Sequence, residues 1–285
     1  MYRAKSQGKA SHAVFDAQMH RQVLARLDLE TDLRRAIEAR ALQVLYQPIF
    51  RTGSTEIAAF EALCRWEVDP VEFVGIAEET GLIVPLGHFV LEEASRQAAE
   101  WGVAVSVNVS ARQLSDPAFG PGVKQALVRS GARPGNLVLE VTESAMAEDP
   151  ESALRTLITL QDDLGIRTHL DDFGTGASSL RFLHKFPGHA LKVDRSLVIG
   201  MLTDPGSMEI VKAVVGLAHN LGMEVVGEGV ETAEHLEALE ALGCELVQGF
   251  HLSAPLTAEA AAHLLLAAEG AAGSADPATP FLPNA

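Results

Sequence analysis

The sequence predicts an α/β fold, a (β/α)8-type barrel with one antiparallel strand, and three observations predict it. After Leu42, short β-rich runs alternate with helical stretches eight times. The length of 285 residues accommodates such a barrel, which alone takes about 250. The first two strand candidates are joined only by Arg51–Thr55. That is too short for the crossover a parallel pair requires, so this pair should run antiparallel. An open doubly wound sheet is the alternative that the same alternation allows.

Taken in order, residues 1–14 are polar and irregular. From Phe15 to Leu45 there is no Gly or Pro, and Met19, Val23, Leu27, Leu33 and Ile37 recur at near-helical spacing among charges. This predicts a long amphipathic helix, too charged for a buried one and so read as a connector. Strands are expected at about 43–50, 56–66, 104–110, 136–142, 167–171, 190–194, 224–228 and 246–250. Helices are expected at about 71–81, 86–100, 121–130, 150–164, 177–185, 206–221, 233–242 and 257–268. The organisation expected is therefore a connector at 1–41, a barrel domain at 42–268, and a tail at 269–285. That tail, rich in Ala, Gly, Pro and Ser, has little to bury and is expected to be disordered.

Composition narrows the function classes. Apolar residues make up 47% of the chain, as in a well-cored globular protein. The formal net charge of −16 repels polyanions, which argues against nucleic-acid polymers and anionic membranes as partners. Cys64 and Cys244 are far apart and form no CxxC, which argues against zinc or a disulfide framework and fits a reducing cytoplasm. No apolar run reaches spanning length, and no signal-peptide pattern opens the chain.

The chemistry centres on His169–Leu180, HLDDFGTGASSL. Asp171 and Asp172 sit where an apolar run stops and a glycine-bearing loop begins. Adjacent carboxylates repel, so a cation should compensate them, and a divalent ion or a pair of ions would do so. A solvated Asp-Asp turn before a helix is the plain alternative. Strand alternation supplies further polar positions. Ser106, Asn108 and Ser110 share one face, as do Val138, Glu140 and Thr142, and Glu61, Leu63 and Arg65. Cys64 falls on the opposite face and reads as a small buried apolar residue. These polar sets lie toward strand C-terminal ends, with Asp171, Lys192, Asp194, Glu228 and Gln248, where barrel active sites are built. The carboxylates, opposed only by Arg65 and Lys192, leave a negative surplus that favours bound cations. Hard oxygen ligands point to Mg²⁺ or Mn²⁺. The histidines form no HExxH or comparable pair and are read as structural.

Nine segments in order carry a family resemblance: YQPIF (46–50), EALCRW (61–66), AEETGLI (77–83), VNVSARQL (107–114), LEVTES (139–144), DDFGTGASSL (171–180), LKVDRS (191–196), EGVET (228–232) and QGF (248–250). Together they closely resemble the EAL family of bacterial cyclic-di-GMP phosphodiesterases, over about 42–266. The opening MYRAKSQGK and HAVFD resembles the end of a GGDEF domain, which implies upstream GGDEF or sensor domains in a parent chain. The family fold is a modified TIM (β/α)8 barrel with one antiparallel strand. The resemblance implies two Mg²⁺ or Mn²⁺ ions, with Glu61, Asn108, Glu140 and Asp171 on the first, and Asp171 and Asp172 on the second. It implies Lys192 and Glu228 as catalytic groups flanking the attacking water. Gln47, Leu63, Arg65, Asp194 and Gln248 would contact the substrate, cyclic-di-GMP. Glu143 would anchor the loop by accepting from the Gly174 N–H and the Ser178 hydroxyl. A cytoplasmic homodimer is expected from relatives of this kind. Ala177, Gly75 and Ala59 depart from the usual family residues Tyr, Pro and Gly, and none removes a proposed ligand.

The expected activity is hydrolysis of cyclic-di-GMP to linear pGpG. A non-catalytic receptor for the same dinucleotide, signalling through the connector helix, is the alternative, and its signature would be the loss of a motif carboxylate or of the lysine. An enolase-like proton abstraction next to a carboxylate fits the residue types but not the EGVET and QGF segments.

Overall fold

The computed structural model describes residues 17–174 and 183–273. The GGDEF-like opening, Ala177, Ser178, most of the helix expected over 177–185 and the end of the tail lie outside the described residues. The eight strands are β1 (Gln43–Arg51), β2 (Ile57–Arg65), β3 (Ala104–Asn108), β4 (Leu137–Thr142), β5 (Arg167–Phe173), β6 (Ala190–Val193), β7 (Glu224–Gly227) and β8 (Leu246–Val247). They close in sequence order into one barrel. β1 runs antiparallel to both of its neighbours, β2 and β8, while β2 to β8 are parallel throughout. The short Arg51–Thr55 link thus gives the hairpin it predicts.

The period-two alternation divides each strand between two cores. Outward residues such as Val105, Val107, Leu139, Val141, Leu170, Leu191 and Val225 are buried against the surrounding helices. Inward, Ile49, Ala59, Ala104, Val138, Ala190, Val226 and Leu246 form one small apolar layer. Two residues further toward the mouth, each of these strands carries a polar residue: Gln47, Glu61, Ser106, Glu140, Lys192, Glu228 and Gln248. The apolar layer is the floor on which the polar ones stand.

Local sequence sets the helix ends. Asp69, Asp149 and Asp204 each cap a helix with the side chain accepting from the first-turn backbone, and each is followed by a proline suited to the first helical position. The first helix, α1 (Ala17–Glu38), ends earlier than the periodicity implied. Arg40, in the left-handed region at φ 52°, turns the chain into β1. The Arg40 guanidinium donates to Glu92 and Glu93 and lies 5.1 Å over the Phe89 ring. The expected connector is docked at its end: Leu33 and Ala36 are buried in the core, and full burial of a leucine side chain stabilises by about 1.5–3 kcal/mol. Leu24 and Leu27, further out, stay exposed. Helices α2 (Pro70–Thr80) and α3 (Ile83–Trp101) pack beside α1. The final helix, Ala258–Gly273, runs beyond the expected 268. Three short helices at strand ends, Ala111–Leu114, Glu143–Glu148 and Arg195–Gly200, were not expected, being too short for a periodic signal. Among the described residues no helix is long and apolar enough to cross a membrane.

Candidate active site

The mouth of the barrel is shaped by the turn after β5. Asp171 is buried on the inner wall, and its Oδ1 accepts from the Asp172 N–H at 2.9 Å. Asp172 then takes a left-handed conformation, φ 54°, which aspartate tolerates better than most residues with a Cβ. Gly174 follows at φ 101°, and a Cβ there would meet Leu197 Cδ1 at 2.6 Å. This turn swings the Asp172 carboxylate back over the mouth. Asp171, Asp172 and Glu228 each offer an oxygen within 4.8 Å of the others.

Beneath them lies Lys192, with only 1% of its surface exposed. Its Nζ stands 2.6 Å from Glu228 Oε1, 2.7 Å from Glu140 Oε2, 3.4 Å from Glu61 Oε2 and 3.5 Å from Asp171 Oδ1. Five carboxylates, counting Asp172, therefore surround one ammonium. Burial alone would lower the Lys192 pKa, but Asp171, Glu140, Glu228 and Glu61 together raise it well above its ordinary value, so the ammonium stays charged. Burial raises Glu140 and Glu228, against the pull of Lys192. Burial acts on Glu61 in the same sense, but Lys192 and hydrogen bonds from Gln248 and Asn108 overcome it and hold this carboxyl below its usual range. One lysine cannot balance this set, and four formal negative charges remain, the charge of two divalent cations.

The polar wall continues along a hydrogen-bonded chain. Asn108 Nδ2 donates to Glu61 Oε1 at 2.8 Å, and Gln248 Nε2 donates to Glu61 Oε2 at 2.9 Å and to Gln47 Oε1 at 3.1 Å. Gln47 Nε2 donates on to the Ser253 carbonyl. Glu140 Oε1 and Gln248 Oε1 are enclosed and have no hydrogen-bond partner among the described residues. An all-oxygen set with excess negative charge, and with the enclosed Gln248 Oε1 left without a donor beside it, fits hard divalent cations.

Above this wall opens a cavity of about 370 Å³, lined by Gln47, Glu61, Leu63, Arg65, Asn108, Asp171, Asp172, Glu228 and Gln248. Most residues expected at the site from sequence thus converge. Glu140 and Lys192 lie beneath the cavity, outside its lining. Asp194, expected to touch substrate, is also outside the lining. Its Oδ1 caps the helix Arg195–Gly200, accepting from the Ser196 N–H and hydroxyl. Glu143 is buried in the first turn of its helix, which Thr142 caps. Its expected partner Ser178 lies outside the described residues. Four further residues, given no individual role by the sequence reading, stand at or under the site. Arg195 and Phe250 line the cavity, and Phe250 is 66% exposed there. Ser106 and His169 are buried inside the barrel, and burial, with Lys192, Arg167 and His189, lowers His169 well below its ordinary pKa. Alternation back from Asp171 places His169 on the inner face, so that signal was present.

Comparison with known proteins bears on this site. The EAL domain family model matches residues 30–255. The bifunctional diguanylate cyclase/cyclic di-GMP phosphodiesterase MucR of Pseudomonas aeruginosa is 39% identical over 273 residues, covering 91% of this chain and 39% of that protein. The cyclic di-GMP phosphodiesterase PdeR of Escherichia coli is 39% identical over 271 residues, covering 91% of this chain and 41% of that protein. The chain thus spans about two fifths of the length of these relatives. Among solved structures, the PaMucR phosphodiesterase in its c-di-GMP complex superposes with a TM-score of 0.79 at 39% identity, over 82% of this chain and 99% of that one. The EAL enzyme Bd1971, in its cAMP and cyclic-di-GMP bound form, gives 0.81 at 29% identity, over 87% and 71%.

Proposed function

This chain belongs to the EAL domain family, and from that premise we propose that it is a metal-dependent phosphodiesterase that hydrolyses cyclic-di-GMP to linear 5′-pGpG. The single observation that carries this reading is the ring of carboxylates from separate strands, left with a negative surplus around Lys192. Glu61, Asn108, Glu140 and Asp171 are the proposed ligands of a first Mg²⁺ or Mn²⁺, and Asp171 and Asp172 of a second, with Glu228 close enough to share in that site. When bound, such ions polarise the phosphate and acidify the attacking water.

This chain's own groups supply the rest. Glu228, raised by burial, is suited to take the proton of the water whose oxygen bonds to phosphorus as the P–O3′ bond breaks. The departing O3′ takes up a proton from solvent and Glu228 later releases the one it took, so one product end is a 5′-phosphate and the other a 3′-hydroxyl. Lys192 holds Glu228 and Glu140 in place and stabilises charge that builds on the phosphate. Arg65 offers a planar fork to a phosphate or a guanine edge. Gln47, Leu63 and Gln248 line the substrate's path, and Asp194 contributes by fixing the neighbouring Arg195 in the wall. Glu143 buttresses the turn that carries Asp172. In this reading residues 42–268 are the catalytic unit, and α1 links them to upstream sensor or GGDEF domains of a cytoplasmic homodimer.

The test is to incubate purified protein with cyclic-di-GMP and Mn²⁺ or Mg²⁺, with EDTA and Glu61→Ala as controls. Appearance of pGpG only with metal and only in the parent supports the reading. Tight binding of intact dinucleotide without product in either metal would make the chain a receptor instead.

A further inference from the structure

The proposed reaction makes no use of His169, a titratable group buried inside the barrel. The parallel register of β4 and β5 sets it directly opposite Glu140, on the same inner face. Its partner on the other side is Ala190, whose methyl takes little of the space beside the ring. His169 is 5% exposed and Glu140 1%. Nδ1 of His169 stands 3.9 Å from Glu140 Oε1, and neither atom has a hydrogen-bond partner among the described residues. The other carboxylate oxygen, Oε2, is the one engaged by Lys192 at 2.7 Å.

Two enclosed polar atoms facing each other without partners both forfeit their hydration. The gap exceeds the ordinary N–H···O ceiling of about 3.2 Å by less than about 1 Å, which a modest side-chain rotation closes. Carboxylates that bind metals are commonly held by an outer hydrogen bond, which fixes the oxygen presented to the ion.

We propose that His169 is a positioning residue, whose Nδ1–H donates to Glu140 Oε1 and so holds Oε2 toward the cation site. This rests on the reading of Glu140 as a cation ligand. Lys192 contacts Oε2 alone, so it leaves the carboxylate free to swing about that contact. A donor on Oε1 removes this freedom, and the register allows only residue 169 to reach it from β5.

The test compares Mn²⁺ affinity, read by the free-ion EPR signal without substrate, in the parent and three variants. His169→Leu fills similar space without a donor, whereas His169→Asn keeps an N–H near the place of Nδ1. We expect His169→Leu to bind Mn²⁺ about 10–100-fold more weakly and His169→Asn to stay within about threefold of the parent. The inference is overturned if His169→Leu keeps the parent's affinity, or if His169→Asn falls as far as His169→Leu. Glu140→Gln separates the two levels of the argument. If it binds Mn²⁺ like the parent, the ligand reading fails and takes the inference with it. If it loses Mn²⁺ while His169→Leu keeps it, only the role of His169 falls. Should His169→Leu not fold by thermal melting in EDTA, His169→Gln, with its amide near the place of Nε2, replaces it under the same expectation.

Discussion

Replacing Lys192 by methionine keeps most of its volume and removes its charge. At an effective dielectric of 20, opposite charges about 4 Å apart attract by about 4 kcal/mol. Four carboxylate contacts between 2.6 and 3.5 Å therefore carry a gross attraction of roughly 16 kcal/mol. Repulsion among the carboxylates and the cost of burial cancel most of it. Removing one partner from a buried ion pair costs about 3–5 kcal/mol. Several partners are orphaned here, so we expect about 4–5 kcal/mol. At about 2–4 °C per kcal/mol for a domain of this size, the melting temperature in EDTA should fall by about 8–20 °C. Millimolar Mn²⁺ should recover much of that loss, because a cation binding only the folded state stabilises it by mass action. Hydrolysis should nonetheless stay at least about 100-fold below the parent, since the cation that holds Glu228 and, in the proposed reaction, steadies charge building on the phosphate is gone. Urea and thermal melts with and without Mn²⁺, alongside pGpG formation, decide the matter. A Lys192→Met protein that melts within about 4 °C of the parent in EDTA, half of the smallest loss worked above, would refute the reasoning.

Three further outcomes follow from the same geometry. Burial raises Glu140 to about 8 and Glu228 well above an ordinary value near 4.5; the stability such groups contribute is complete below pH 4.5 and is lost as pH rises through the folded values. Glu61, held low, acts in the opposite sense, losing its contribution only as pH falls below about its ordinary value. Cation-free protein should therefore lose stability from pH 5 to 8, by up to about 1.4 kcal/mol per pH unit for each proton released, and saturating Mg²⁺ should flatten the slope; urea titrations that show a rise would contradict the assignment. Gly174→Ala puts a Cβ at φ 101° and 2.6 Å from Leu197 Cδ1; we expect about 2 kcal/mol of destabilisation and weaker Mn²⁺ binding through the displaced Asp172, both measurable by melting and titration. Phe250→Ala, at an exposed ring in the cavity wall, should raise KM about tenfold by loss of base stacking, with kcat and melting temperature unchanged; steady-state kinetics separate that from a structural effect.

Much of this arrangement could be read from the chain. The five-residue link between β1 and β2 dictates the hairpin, and alternation around Glu61, Asn108, Glu140 and Lys192 is enough to place their side chains on the inner face. What could not be read were properties of the assembled barrel. Nothing in LKVD says that Lys192 will sit between four carboxylates, because those arrive from β2, β4, β5 and the end of β7. Asp194 has the same inward spacing as Lys192, but the strand has ended there and its carboxylate caps a helix instead. The docked end of α1 was hidden for a similar reason: its charge density suggested exposure, and only packing shows that Leu33 and Ala36 are covered.

The reversed direction of β1 also fixes where the chain enters. In a barrel whose strands all run one way, a leading segment arrives at the end remote from the reaction. Here Gln43 pairs with Arg65, so α1 delivers the chain to the rim that carries the candidate site. Arg65 lines the cavity there and also a second groove bounded by Leu29, Asp32 and Ala36 of α1 and by Trp66. Any tilt of α1 would therefore act on the doorway of the candidate site before the far end of the barrel.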